Sequence, residues 1–180
     1  SRADSVSRQL TFTVPFERNK FQYNSEDIKP FLDSISLNRF DLKRIDVIAY
    51  SSLDGSVKGN EIIQQKRAIS ILEAIKKYKL QDVETKISTK ENFEGFYESI
   101  KGSPYESELS KLPKEDLRKL INSDTLKYDL EPYLAGQRKA EINLTVEQIF
   151  MDEALFSVLP KWFEKALKDK DYVKAKIYQS

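Results

Sequence analysis

Four stretches of the chain alternate between apolar and polar residues with a period of two, and stretches of helical spacing run between them. That succession limits the fold more than any other property of the sequence. Leu10, Phe12, Val14 and Phe16 alternate with Gln9, Thr11 and Thr13, and Val83, Thr85 and Ile87 with Asp82, Glu84 and Lys86. Ala140, Ile142, Leu144 and Val146 alternate with Glu141, Asn143 and Thr145. Strands written this way put one face in a core and the other in water. Ile45, Val47 and Ala49 differ, because Ile48 and Tyr50 stand among their alternates beside Asp46. This second strand is apolar on both sides and belongs in the middle of a sheet.

Between the strands, Pro30 suits the first turn of a helix, where its fixed φ helps and its missing N–H costs nothing. A short helix is expected from there, turning Phe31, Leu32 and Ile35 inward. A longer one is expected from about Lys58 to Tyr78, through Ile63, Ala68, Ile71, Leu72 and Ile75. The order β-α-β-α-β followed by a final strand predicts an α+β, two-layer sandwich, a mixed four-stranded sheet with helices on one face.

From 92 to 134 the pattern is broken by Pro104, Pro113 and Pro132. A segment so long predicts helices of its own, one at Lys114–Leu120 through Leu117, Leu120 and Ile121, with Phe93, Phe96 and Tyr97 as packing. The domain is thus expected over 8–148, with a helical insertion at about 92–134. Residues 149–180 are expected to form a helical extension with an apolar stripe at Leu155, Val158, Leu159, Trp162, Phe163, Ala166 and Leu167. A second helix is expected at Tyr172–Tyr178, where the Ala166, Tyr172, Ala175 spacing faintly resembles the start of a tetratricopeptide-type repeat region. Such a stripe must dock on the domain, continue into an array or meet a partner.

Residue types exclude much chemistry. The chain has no cysteine and no histidine, so a thiol nucleophile, a Ser-His-Asp triad, a conventional zinc site and a disulfide framework are all out. With 30 Lys+Arg against 29 Asp+Glu, the net charge of +1 gives no nucleic-acid footprint. No run of eighteen apolar residues spans a bilayer, so no membrane insertion is expected of this piece. Glycosidase chemistry needs only two carboxylates, but nothing in the Asp/Glu distribution picks out a pair. The chain reads as a non-enzymatic binding or interaction domain with no cofactor. It starts at Ser1 without Met and is expected to be a mature or excised part of something larger.

The stretch best placed for binding is Ala49-Tyr50-Ser51-Ser52-Leu53-Asp54-Gly55-Ser56, with Asn60 and then Gln64-Gln65-Lys66-Arg67-Ala68. It leaves a core strand, turns through Gly55 and Gly59, and enters the longest helix, whose N-terminal N–H groups favour an anionic group. Arg67 stands four residues after Ile63 and four before Ile71, on the inward stripe. Buried arginine is expensive unless paired. Two readings stay open: a pair with an acid such as Asp54 that staples loop to helix, or a planar fork offered to a ligand carboxylate.

The same residues resemble the OmpA-like domain (the C-terminal domain of outer-membrane protein A), which grips peptidoglycan non-covalently in Gram-negative envelopes. The family signature reads roughly Gly-His-Thr-Asp, two residues, Gly, four residues, Asn, two residues, Leu-Ser, two residues, Arg-Ala. At that spacing the chain has Ala49-Tyr50-Ser51-Ser52, Gly55, Asn60, Ile63-Gln64 and Arg67-Ala68. The family's closing Asn-Arg-Arg-Val-Glu-Ile is similar to Gln137-Arg138-Lys139-Ala140-Glu141-Ile142, and its early Phe…Leu-Lys-Pro to Phe21…Ile28-Lys29-Pro30. The resemblance spans about 8–147 apart from the insertion.

This resemblance implies a site for the zwitterionic end of diaminopimelate in the peptide stem, the signature Asp taking the ammonium and the Arg the carboxylate. Arg67 stands at the Arg position, Asn60 at the loop-supporting Asn, Ser52 at the Asp and Tyr50 at the preceding His. A serine gives up a charged hydrogen bond, on the order of 1 kcal/mol or about tenfold in affinity. Asp54, two residues on, either supplies the missing charge from another direction or caps the turn. Loops reading Tyr-Ala/Ser-Ser-x-Glu/Asp-Gly in the family are similar to this one. The expectation is a periplasmic domain at the outer membrane or cell wall that binds peptidoglycan to anchor a larger protein. The alternative is a degenerate scaffold in envelope assembly, meeting protein partners through the insertion or the C-terminal helices.

Overall fold

In the computed structural model, which describes residues 5–36 and 41–149, the first alternating stretch forms β1 (Ser5–Pro15). The others form β2 (Asp41–Ser51), β3 (Glu84–Glu91) and β4 (Lys139–Ile149). Among the described residues they make one mixed sheet in the order β1-β4-β2-β3. β4 lies antiparallel to both neighbours, with Leu10 and Ile45 on either side of Leu144, and Phe12 and Val47 on either side of Ile142. β3 runs parallel to β2. β2 and β4 are therefore interior, as the apolar alternates of β2 predict.

Helices α1 (Ser25–Ser36) and α2 (Val57–Lys76) cover the sheet face that carries the inward alternates. Phe31, Ile71, Ala74 and Ile75 close over Phe12, Val14, Ile45, Val47, Ile142 and Leu144. Phe12 and Phe31 meet edge to face, 5.8 Å between centroids. Each fully buried side chain of this size contributes about 1.5–3 kcal/mol. The predicted two-layer α+β sandwich is the fold observed.

Two local expectations need correction. Pro30 is not in a first turn, because α1 starts at Ser25. The earlier start is set by Asn24, whose Oδ1 accepts the Glu26 N–H at 3.1 Å, and by Glu26 and Asp27 facing the positive helix end. The third strand is not a half-buried strand either. It begins only at Glu84, occupies the sheet edge, and even Ile87 on its helix-facing side is 36% exposed. Period-two alternation records which face a residue takes, not whether anything covers that face.

The 92–134 insertion folds as expected into helices: α3 (Phe93–Ser99), α4 (Glu106–Leu109), α5 (Lys114–Ile121) and α6 (Glu131–Leu134), then a 3₁₀ turn at Ala135–Gln137. Asn92 starts α3, its Oδ1 accepting the Gly95 N–H at 2.9 Å. Phe96, Ile100, Leu109, Leu117, Ile121, Leu130 and Leu134 form a second core, with Phe93 and Tyr97 packed on it. One residue of that core comes from the main domain: Leu53, in the loop after β2. The insertion is thus pinned to the loop in which the binding residues were sought. The expected helices and apolar stripe of the C-terminal extension lie outside the described residues.

Candidate functional site

Ser56 caps α2, its Oγ accepting the Gly59 N–H at 3.0 Å. The loop between β2 and this cap needs a left-handed residue, which Gly55 supplies at φ 86°. A Cβ there would also press Asn60 Oδ1 at 3.3 Å, so glycine meets both demands. Asn60 ties the loop to α2: its Nδ2 donates to the Ser52 carbonyl at 3.2 Å and to Glu91 Oε1 at 2.9 Å. Gln64 Nε2 donates to Ser51 Oγ at 2.8 Å, one turn further along α2.

Arg67 is buried, 1% exposed, as its place on the inward stripe predicts. Its hydrogen-bond partners are carbonyls rather than the expected acid. Its Nε donates to the Lys20 carbonyl at 3.0 Å, Nη1 to the Tyr50 carbonyl at 2.9 Å and Nη2 to the Glu17 carbonyl at 3.2 Å. The guanidinium also lies 5.2 Å from the Phe16 ring centroid. Among the described residues no acid pairs with it directly, so the staple to Asp54 is replaced by one to main-chain dipoles. Burial and then the nearby Arg138 charge lower its pKa to about 10, with Asp54 opposing. At neutral pH it remains a cation.

The ion pair expected for Arg67 belongs to Arg138, which is 4% exposed. Arg138 Nε donates to Ser52 Oγ at 3.1 Å, and Nη2 lies 3.4 Å from both oxygens of Asp54. The same guanidinium forks onto Glu131 of α6 through Nη1 and Nη2, the second bond measuring 2.9 Å. Burial works against this charge, but Glu131 and Asp54 outweigh it, and the pKa of Arg138 lies above its ordinary value. Ser52 Oγ donates in turn to Asp54 Oδ1, and Asp54 reaches Arg18 at 3.2 Å. Asp54 thus sets its carboxylate against the hydroxyl of Ser52.

Of the five residues singled out from the sequence, Ser52, Asp54, Asn60 and Arg67 cluster at this strand-to-helix junction. Tyr50 does not join them through its side chain. Its carbonyl serves Arg67, while its ring lies between Lys90 at 5.4 Å and Lys139 at 5.7 Å, on the side of the sheet shared with Glu141. Burial and then the carboxylates of Glu141 and Glu94 push its phenol up to about 12. It stays neutral there.

The insertion supplies the rest of the wall. Asn122 Oδ1 accepts the Gly55 N–H at 2.7 Å, and its Nδ2 donates back to the Gly55 carbonyl at 3.2 Å. Arg118 forks onto Glu91 with two bonds of 2.6 Å. Sequence reasoning missed Arg138, Glu131, Arg118 and Glu91 as members of this site. For Arg138 a signal existed. Counting back by twos from Val146, Leu144, Ile142 and Ala140 reaches 138, an inward position.

Glu91 makes the network sensitive to acid. Burial raises its pKa, but hydrogen bonds from Arg118 and Asn60, with the charges of Arg118 and Lys114, hold it below its ordinary 4.5. A depressed folded pKa contributes stability above the unfolded value and loses it as pH falls through the folded one. Glu91→Gln is therefore less stable than wild type at neutral pH, and urea midpoints of the two converge as pH drops below about 4.5. Parallel midpoints down to acid would refute this role.

Among the described residues, no group of acidic side chains is arranged to hold a metal ion, and no helix is long and apolar enough to cross a membrane. No family model matches the chain, and no curated protein matches it significantly.

Proposed function

We propose that the chain is a non-catalytic, OmpA-like domain of the cell envelope, working in the periplasm as a scaffold that meets other proteins, with its ancestral ligand pocket silent. One observation carries this: Arg67, the residue that would hold a ligand carboxylate, is buried with Nε, Nη1 and Nη2 all bonded to the chain's own carbonyls. A ligand would have to displace bonds that are already made. Leu53, Asn122 and Glu131 support the same reading, since through them the insertion occupies the loop that would otherwise frame a ligand. The test is co-sedimentation with purified sacculi. Wild type and Ser52→Asp both stay in the supernatant on this reading; pelleting of wild type that free diaminopimelate competes away would reverse it.

Peptidoglycan attachment is the second reading, and one feature favours it. Three guanidiniums, those of Arg18, Arg67 and Arg138, surround the two carboxylates of Asp54 and Glu131. The excess cation suits a ligand carboxylate, and Arg18 is 55% exposed. Asp54 beside Ser52 would then take the ammonium of diaminopimelate. An Arg18→Ala variant separates the readings in the same assay, because it reduces pelleting only if the stem peptide binds here.

A further inference from the structure

β3 leaves one edge of the sheet open: residues 84–90 are all exposed, and no described strand pairs with its outer side. Such an edge presents unpaired N–H and C=O groups to any extended chain. Soluble proteins blunt these edges with charge, and β3 carries Glu84, Lys86 and Lys90. The order of those charges decides whether they blunt the edge or select a partner.

We infer that the partner of this edge is the β3 edge of a second copy of the same chain, paired antiparallel about a two-fold axis at Ile87. The register follows from the sequence and from which face each residue takes. Glu84, Lys86, Ser88 and Lys90 stand beside Arg44, Asp46, Ile48 and Tyr50 of β2, whereas Thr85, Ile87 and Thr89 stand beside Ile45, Val47 and Ala49, on the helix side. With the axis at Ile87, Glu84 of each copy faces Lys90 of the other, Lys86 faces Ser88, and Thr85 faces Thr89. Ile87 meets its own copy, which covers the part of its side chain that the described residues of one chain leave exposed. Opposite charges directly across an antiparallel pair are favourable and like charges are not.

The adjacent registers that keep both helix layers on one side of the joint sheet fail this charge test. An axis at Ser88 sets Lys86 against Lys90 twice, and an axis at Lys86 sets that lysine against itself. Of these three registers only the one at Ile87 is self-complementary, as an isologous dimer contact requires, and it pairs more of the strand than an axis at Thr85 or Thr89 would. Within one chain Glu84 touches Arg44 at 3.3 Å and Lys90 rests over the Tyr50 ring, and both side chains stay solvent-accessible. The inference is independent of the use made of the Arg67 pocket.

Sedimentation across a concentration series of the 180-residue chain tests it with charge swaps. Wild type is expected to associate to a dimer. Glu84→Lys and Lys90→Glu each set like charges across the axis twice, and each alone weakens self-association by about tenfold or more. An equimolar mixture of the two variants restores dimers, because Lys then faces Glu at both ends. The chain has no cysteine, so Ile87→Cys adds a single thiol at the axis. Residues directly opposite are about 4.5–5.5 Å apart at Cα, within disulfide reach. Oxidation should give a covalent dimer with Ile87→Cys far faster than with Ile69→Cys, an exposed position on α2. Wild type that stays monomeric to millimolar concentration overturns the proposal and leaves the edge to a strand of another protein. Dimers that persist in both charge variants overturn it by placing the contact elsewhere.

Discussion

Arg67→Ala is expected to unfold with about 3–5 kcal/mol less stability than wild type, a loss set by three main-chain carbonyls rather than by any ligand. The Tyr50 carbonyl is buried, and those of Glu17 and Lys20 are partly so. An unpaired buried acceptor costs about 1–3 kcal/mol, water can relieve the two at the margin, and the truncation also leaves a void beside Phe16. Arg67→Lys should recover only part of the loss. An ammonium on a flexible stem cannot serve three acceptors fixed for a planar fork. The segment after β1 should loosen as well, since Arg67 is what ties Glu17 and Lys20 to α2. Trypsin cleavage after Lys20 in the native state should accelerate in the alanine variant, alongside a lower urea midpoint. A variant as stable as wild type, with unchanged cleavage, would show that these bonds do not hold the segment.

Arg138→Met is the second large effect, expected at about 3 kcal/mol, or roughly 6–12 °C in melting temperature for a domain of this size. Methionine roughly keeps the volume, so the loss isolates charge and hydrogen bonding. What remains is Asp54 beside Glu131 and the Ser52 hydroxyl, with Arg18 as the nearest cation at 3.2 Å. Removing one partner of a buried pair is costlier than removing the whole cluster, because the survivor keeps its desolvation penalty without its compensation. The triple change Arg138→Met, Asp54→Asn, Glu131→Gln should therefore recover more than half of what the single change loses. Thermal unfolding of the two variants checks this. A triple variant less stable than the single one would mean that the carboxylates are already well solvated.

These two arginines show how far the sequence speaks and where it stops. The period-two stretches around Leu10, Val47 and Ile142 identify the core face, and the helical spacing through Ile71 and Ile75 identifies its cover. Both signals survive folding because burial of a whole face outweighs any local preference. Arg67 was legible as an inward cation, yet its partners were not. Backbone carbonyls carry no side-chain identity, and two of them come from 47 and 50 residues away. Arg138 shares the core parity of β4, but its acid Glu131 sits in a segment without periodicity, so no pattern joins the two. The exposure of β3 was illegible for another reason. Whether an alternating strand lies at an edge depends on the order of strands in the sheet, which alternation does not encode.

Both inward guanidiniums are bonded to the chain's own groups, and on the proposed reading this leaves no place for a ligand carboxylate. Nitrogen-15 spectra of the arginine side chains, recorded while diaminopimelate is titrated to millimolar concentration, test this most directly. The Nε–H signals of Arg67 and Arg138 are expected to be protected from solvent exchange and not to move. Saturable shifts of both signals, lost in Asp54→Asn, would contradict that reading and restore the pocket as a peptidoglycan site.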